Sequence, residues 1–284
     1  MQTQTKDLLH LDGDIDQKLY ARQAELERLY NKNQLHRRIQ QEFIEAGGFI
    51  EQMELYEIPV PFGMQVLTEI ALRKRADVKT MVGLLRRHLG DSQETADMLI
   101  TCAKADLLEY NPSLGQFIVL YEVSDDVQEE LDRYQFPLPM VVPPRPIRGN
   151  KDTGYLTGKE QSVILRNNHT EDDVCLDHLN RMNRIAFSID LDTVKMVQNR
   201  WRNLDKRKDG ETDADFKSRK RAFERFDRVC RDIIEKLTEH GNRHYMTHRY
   251  DKRGRVYCAG YHINYQGTPW SKAIVQLADK EFVE

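Results

Sequence analysis

Tyr250-Asp251-Lys252-Arg253-Gly254-Arg255-Val256-Tyr257 sets two arginines around a glycine just where the chain becomes rich in tyrosine and valine. Glycine lets a backbone approach a ligand closely, and a guanidinium forks onto phosphate oxygens. Asp251 can orient an arginine, and Tyr257 can pack on a sugar or a base. The composition of 255–263 predicts a strand entered through Gly254. A last helix over about 271–278 follows, apolar on one face.

Upstream, 174–187 and 192–204 read as helices, and a third runs from 213 to 240. Val194, Val197, Trp201 and Leu204 are spaced three, four and three apart, and Phe223, Phe226, Cys230, Ile233 and Leu237 alternate the same way. Such narrow stripes predict two helices packed mainly on each other, joined by the polar turn 206–212. The longer arm would reach about 40 Å at ~1.5 Å per residue. Arg200, Arg202, Lys206, Arg207, Lys208, Lys217, Arg219, Lys220 and Arg221 gather at its tip. A cationic tip can close over a phosphate backbone; it can equally be the solvated end of an ordinary coiled-coil arm.

The passage 137–146, Pro-Leu-Pro-Met-Val-Val-Pro-Pro-Arg-Pro, can be neither helix interior nor central strand. Its apolar residues suggest an extended segment lying against a protein surface, with a looser loop to about 170. Before it, 15–46 reads as one long helix stopped by Gly47-Gly48, and Pro59 and Pro61 mark a connector. Helices are predicted over 64–74 and 78–89. Another spans about 92–105, capped by Asp91 or Ser92 with Glu94 completing a capping box. Strands at 107–110 and 116–123 flank the turn 111–115. Three helices and a hairpin outline a winged helix. The helix that would read DNA, however, has Lys104 as its one cation, where major-groove recognition wants Arg, Lys, Asn or Gln. A structural role is expected for it.

The chain of 284 residues is 39% hydrophobic and 31% charged, a globular profile rather than a disordered or membrane-spanning one. No apolar run approaches the ~20 residues of a membrane span, and the polar start lacks the pattern of a signal peptide. Cys102, Cys175, Cys230 and Cys258 show no paired spacing, which suits reduced thiols in a cytoplasm. The net charge of −3 hides an asymmetry. Residues 1–142 hold 15 Lys/Arg against 24 Asp/Glu, and residues 143–284 hold 28 against 22. The basic half suggests a polyanion partner. His240, His244 and His248 fall four apart, but Gly241 breaks any helix that would align them for zinc. Gly154–Lys159 has the wrong spacing for a phosphate loop, and Asp125-Asp126 and Asp172-Asp173 suit helix N-terminal charges.

Residues 250–257 resemble the D-x-x-G-R motif of phage and mitochondrial single-subunit DNA-directed RNA polymerases. The resemblance continues in Asn264-Tyr265-Gln266-Gly267 and Ser271-Lys272. Upstream, Val141-Val142-Pro143-Pro144-Arg145-Pro146 with Gly154-Tyr155 is similar to the family's proline loop. Leu179-Asn180, then Ile189, Val194 and Val197, are similar to the helices leading into its thumb. Similar features run in the family's order from about 64 to 284.

The resemblance implies that Asp251, Arg253, Gly254, Arg255 and Tyr257 hold template DNA and the RNA–DNA hybrid, with Lys272 nearby. Arg200, Arg202, Lys217, Lys220 and Arg221 would serve a thumb that steadies the hybrid. The family's two metal-binding aspartates and its nucleotide-gripping helix lie in later motifs that this sequence lacks, and phosphoryl transfer by that route needs both metals. The expectation is therefore a non-catalytic but essential subunit that resembles the smaller chain of a split phage polymerase. A second subunit would supply the rest of the palm and the fingers, hold Mg2+ and receive the NTPs. The seam would fall at Glu284.

The fold class expected is mainly α with small β elements: a helical N-terminal domain over 1–136, a proline loop and linker over 137–173, a thumb-like hairpin over 174–242 and the start of a palm over 243–284. Its place would be the cytoplasm of an infected bacterium, or the virion, with no membrane partner. The alternative is a stand-alone nucleic-acid-binding transcription regulator.

Overall fold

The computed structural model describes residues 2–29, 32–158, 161–165 and 168–280, with side chains from residue 16 onward apart from 32 and 33. The chain forms two compact units, one of 32–131 and one of 1–31 with 132–284. Helix α1 (Gln2–Leu29) belongs to the second and α2 (Lys32–Ala46) to the first. The helix expected over 15–46 is helical over 15–29 and 32–46, residues 30 and 31 lying outside the described ones, and residues 1–136 contribute to both units. A 3.6-residue period reports that one face is covered, not what covers it. Ile39 and Phe43 of α2 are buried in one unit, and Gln23, Leu26 and Glu27 of α1 in the other.

In the unit of 32–131, Gly47 and Gly48 end α2 at positive φ (73° and 79°), as the sequence predicts. After α3 (Phe49–Leu55), α4 (Val60–Arg73) starts at a proline, whose missing N–H costs nothing in a first turn, and is buried from Phe62 to Ala71. Next come β1 (Arg75–Asp77), α5 (Val78–Leu85) with a 3-10 turn over Arg86–His88, α6 (Ser92–Lys104), β2 (Glu109–Asn111) and β3 (Gln116–Ile118). Asp77 caps α5 through the Thr80 N–H at 2.8 Å. Asp91 caps α6, accepting from the N–H groups of Gln93 and Glu94 at 2.8 and 2.9 Å. The antiparallel sheet runs β1-β3-β2. Helix, strand, two helices and hairpin is the winged-helix topology. Both strands of the hairpin are shorter than expected: Leu107 and Leu108 turn into the core before β2 begins, and β3 ends at Ile118. Helix α7 (Asp125–Tyr134) leads out of the unit.

The second unit continues with α8 (Leu176–Asn183), β4 (Ala186–Ile189), α9 (Leu191–Met196), α10 (Asp213–Glu239), β5 (His244–Tyr245), β6 (His248–Tyr250), β7 (Val256–Cys258), α11 (Pro269–Ile274) and β8 (Val275–Leu277). One antiparallel sheet runs β5-β4-β8, and β6 and β7 form a hairpin. The proline passage does lie against protein. Met140 exchanges two backbone hydrogen bonds with Tyr245 (2.8 and 2.7 Å), and Met140, Val141 and Val142 are buried in the core. Helix α1 holds the same passage. Gln23 Oε1 accepts the Val141 N–H at 2.9 Å, and the buried Glu27 carboxylate accepts the N–H groups of Leu156 (2.8 Å) and Thr157 (2.6 Å).

Three expected helices change here. The one over 174–187 stops at Asn183, and the chain continues as β4, whose Phe187 and Ile189 enter the core. The arm over 192–204 is α-helical only as far as Met196, with a 3-10 turn over Arg202–Leu204. Val197 is extended and its carbonyl accepts Trp270 Nε1–H at 3.0 Å. Trp201 meets the rings of Phe223 and Phe226 at 5.0 and 5.4 Å. An extended segment laid on α10 satisfies the apolar spacing that predicts a helix, so the arm is one long helix and its strap, not a helical hairpin. The last helix ends at Ile274, because Val275–Leu277 pair with β4. The strand expected over 255–263 ends at Cys258. At Gly260 a Cβ would clash with the carbonyl oxygen of Ile263, so the backbone turns back on itself there. The fold is mainly helical with small antiparallel sheets.

Candidate nucleic-acid interface

The turn joining β6 to β7 is organised by one carboxylate. Asp251 Oδ1 accepts the N–H groups of Arg253 (2.8 Å) and Arg255 (3.0 Å), and Oδ2 accepts Nε and Nη2 of Arg253 at 2.9 and 2.7 Å. The Asp251 N–H donates to the Arg255 carbonyl at 2.8 Å. Gly254 closes the loop at φ 81°, a conformation that a side chain resists. Burial pushes the Asp251 carboxyl up, but the Arg255 N–H and the Arg253 guanidinium outweigh it and hold the pKa at about 2. The same contact raises that of Arg253.

The two arginines therefore differ. Arg253 is engaged by Asp251, whereas the exposed Arg255 forms no ion pair among the described residues and is free to meet an anion. Lys252 is exposed beside it. Tyr257 lies half-buried on β7, opposite Arg249.

The tip of the arm sorts its cations in the same way. Helix α10 opens with a capping box between Thr212 and Asp215. Arg200 pairs with Asp205 at 2.9 Å, Arg207 with Asp213 at 2.8 Å, and Arg219 with Glu211 at 2.7 Å. Arg219 also donates to the Asn203 carbonyl. Its hydrogen bonds, with the Lys208 N–H, draw the Glu211 carboxyl down to about 2. Arg202, Lys217 and Arg221 are exposed with no ion pair among the described residues, and Lys220 stands 4.5 Å from the Phe216 ring centroid. Of the predicted tip residues, Arg200 is thus committed within the protein, while Arg202, Lys217, Lys220 and Arg221 face outward.

Lys272 is exposed on α11, a short helix capped by Thr268, whose hydroxyl accepts the Ser271 N–H at 3.2 Å. Ser271 Oγ accepts the Asn264 N–H at 3.1 Å. These bonds tie 264–272, the stretch after the Arg-Gly-Arg turn, into one piece. An aromatic run, Trp201–Phe226–Tyr261–Phe136, reaches from the strap of the arm to the same region, ending in a stack of 3.9 Å between Tyr261 and Phe136. No hydrogen bond or ion pair among the described residues links tip and turn directly.

Sequence reasoning missed the polar clamps. Asn180 accepts the Ile147 N–H and donates to its carbonyl (2.7 and 3.0 Å), so α8 holds the end of the proline passage as a strand would. Asn242, at φ 57°, does the same to Ile189. Gly241 before Asn242 marks a turn at which asparagine tolerates positive φ, and nothing local marks Asn180. His244 and His248 sit on β5 and β6 and His240 at the end of α10, so the three do not share a helix face. His248 is held between Asn183 Oδ1 (2.8 Å) and the Tyr265 hydroxyl (2.9 Å). Among the described residues no group of three or more His, Cys, Asp or Glu is placed to hold a metal, and no helix is long and apolar enough to cross a membrane. All four cysteines are unbridged.

The sequence matches no protein-family model and no curated protein.

Proposed function

We propose that this chain is a non-catalytic, nucleic-acid-gripping subunit of a DNA-directed RNA polymerase. The observation that supports it most is the Arg-Gly-Arg turn, in which Asp251 fixes the backbone on both sides of Gly254 and leaves the Arg255 guanidinium exposed, with no ion pair among the described residues. A preformed turn loses little freedom when it meets a phosphate, and backbone contacts of this kind read shape rather than sequence. The resemblance of 250–257 to the D-x-x-G-R motif adds the identity of the polyanion: template DNA and the RNA–DNA hybrid. Arg202, Lys217, Lys220 and Arg221 would meet the same hybrid from the arm, and Lys272 from α11. The partner chain would hold the Mg2+ that stabilises charge on the transferred phosphoryl group, together with the fingers that take the NTPs.

A stand-alone regulator is the second reading, favoured by the winged-helix topology of 32–131. The charge on α6 weighs against it, because Glu94 and Asp97 lie exposed where a DNA-reading helix needs cations. RNA primer extension with this chain, with a chain bearing the later polymerase motifs, and with both together separates the two. Extension by the pair and by neither alone is the expected result. Extension by this chain alone, or by the other chain equally well without it, overturns the reading.

A further inference from the structure

The winged-helix unit of 32–131 holds 10 Lys/Arg against 17 Asp/Glu, net −7, while the rest of the chain holds 33 against 29, net +4. In helix-turn-helix proteins that read DNA, the second helix enters the major groove. Here that helix is α6. Thr95, Leu99 and Cys102 are its buried side, which leaves Gln93, Asp97, Ile100 and Lys104 outward with Glu94 beside them. Gln93 Nε2 donates to Asp97 Oδ1 at 2.9 Å, so the amide most suited to reading an adenine is occupied by a carboxylate. Two carboxylates against one ammonium oppose a phosphate backbone.

The same face opens on an apolar groove. Ile100 and Ala103 of α6, with Leu108, Tyr110 and Leu120 from the hairpin side, line a depression of about 420 Å³. Lys104, Asp106 and Glu109 stand at its rim. Leu120 is 44% exposed, and β2 is the outer strand of its sheet.

We infer that this groove docks a segment of another protein, with apolar side chains entering between α6 and β2 and flanking lysines or arginines facing Asp97, Asp106 and Glu109. The occupant follows from complementarity: apolar walls take an apolar anchor, and an acidic rim selects a basic flank and repels nucleic acid. The fold of a DNA reader thereby becomes a protein-docking module. The inference is independent of the polymerase reading, since it rests on residues 93–120 alone.

The test uses the full chain and three fluorescent probes: a short peptide with two leucines one helical turn apart among lysines, the same peptide with glutamates in place of lysines, and a DNA duplex. Anisotropy should show binding of the lysine peptide, and hydrogen exchange should slow in α6 and β2. The variant Asp97→Lys/Asp106→Lys/Glu109→Lys should lower that affinity about tenfold or more. Leu120→Ser, an exposed change without charge, should lower it as well. Glu45→Lys/Glu51→Lys/Glu54→Lys makes the same charge change on α2 and α3 and should leave it unaltered. An equal loss from this second triple overturns the inference, as does failure of the lysine peptide to bind. Slowed exchange in α6 on adding the duplex would overturn it too, by restoring the DNA-reading role.

Discussion

Asp251 and Arg255 are joined twice, by the Asp251 N–H on the Arg255 carbonyl at 2.8 Å and by the Arg255 N–H on Asp251 Oδ1 at 3.0 Å. The Arg255 backbone is thereby fixed while its guanidinium has no ion pair among the described residues. Replacing Arg255 with alanine removes the guanidinium and keeps the turn. On the polymerase reading proposed above, Arg255→Ala should reduce RNA extension by the pair of chains about tenfold or more, as loss of one charge-assisted phosphate contact does. Size-exclusion chromatography should show subunit association unchanged. Equal loss of association would make Arg255 architectural.

Neutralising the outward cations of the arm has a different signature. Lys217→Ala/Lys220→Ala/Arg221→Ala should flatten the dependence of log K on log salt for a hybrid by about 2 to 3, at roughly 0.9 per phosphate contact on a duplex. Arg200→Ala should leave the slope unchanged, because Asp205 already holds that guanidinium. Fluorescence anisotropy over a salt series checks both.

The proline passage and the arm show what was legible in the sequence. Helix α10 was readable to within a residue at its C-terminal end, because a 27-residue amphipathic run with a capping box satisfies local and tertiary demands together. The strap before it was misread: Val194, Val197, Trp201 and Leu204 have helical spacing, yet the backbone is extended at Val197, whose carbonyl accepts Trp270 Nε1–H, and again at Trp201. Strand β1 was invisible, since the three residues after the positive-φ Lys74 are too short a run for their alternation to stand out. At the candidate interface the residue types were legible and their availability was not. Only the contacts separate the engaged Arg253 and Arg200 from the open Arg255 and Lys217.

Glu27 is the junction between α1 and the loop that follows the proline passage. Glu27→Gln puts an amide donor where one carboxylate oxygen accepted, leaving the N–H of Leu156 or Thr157 facing another donor. A loss of about 1–3 kcal/mol is expected for a buried donor left unmet. Urea denaturation at pH 7 checks it, and a change below about 0.5 kcal/mol would show that α1 is not needed to hold that loop.

The buried imidazoles set the pH dependence. Burial lowers His244 and His262 to about 4, and burial with the nearby His178 does the same for His248. Unfolded histidines titrate near 6.5, so between about 6.5 and 4 the unfolded chain binds protons that the folded chain refuses. Stability should fall as pH falls through that window, by roughly 1–2 kcal/mol per histidine at pH 5, and stay flat above pH 7. Urea midpoints at pH 5, 6, 7 and 8 check the direction; a midpoint that rises on acidification contradicts it.

The hydrogen bonds of Glu27 reach 129 and 130 residues ahead along the chain. On a ribosome adding about 5–20 residues per second, α1 emerges on the order of ten seconds before the segment that satisfies it. All of 32–131 is made in that interval, and its helices and hairpin find their partners within the same hundred residues. The whole of the acidic unit is therefore synthesised while Glu27 still lacks the N–H groups of Leu156 and Thr157.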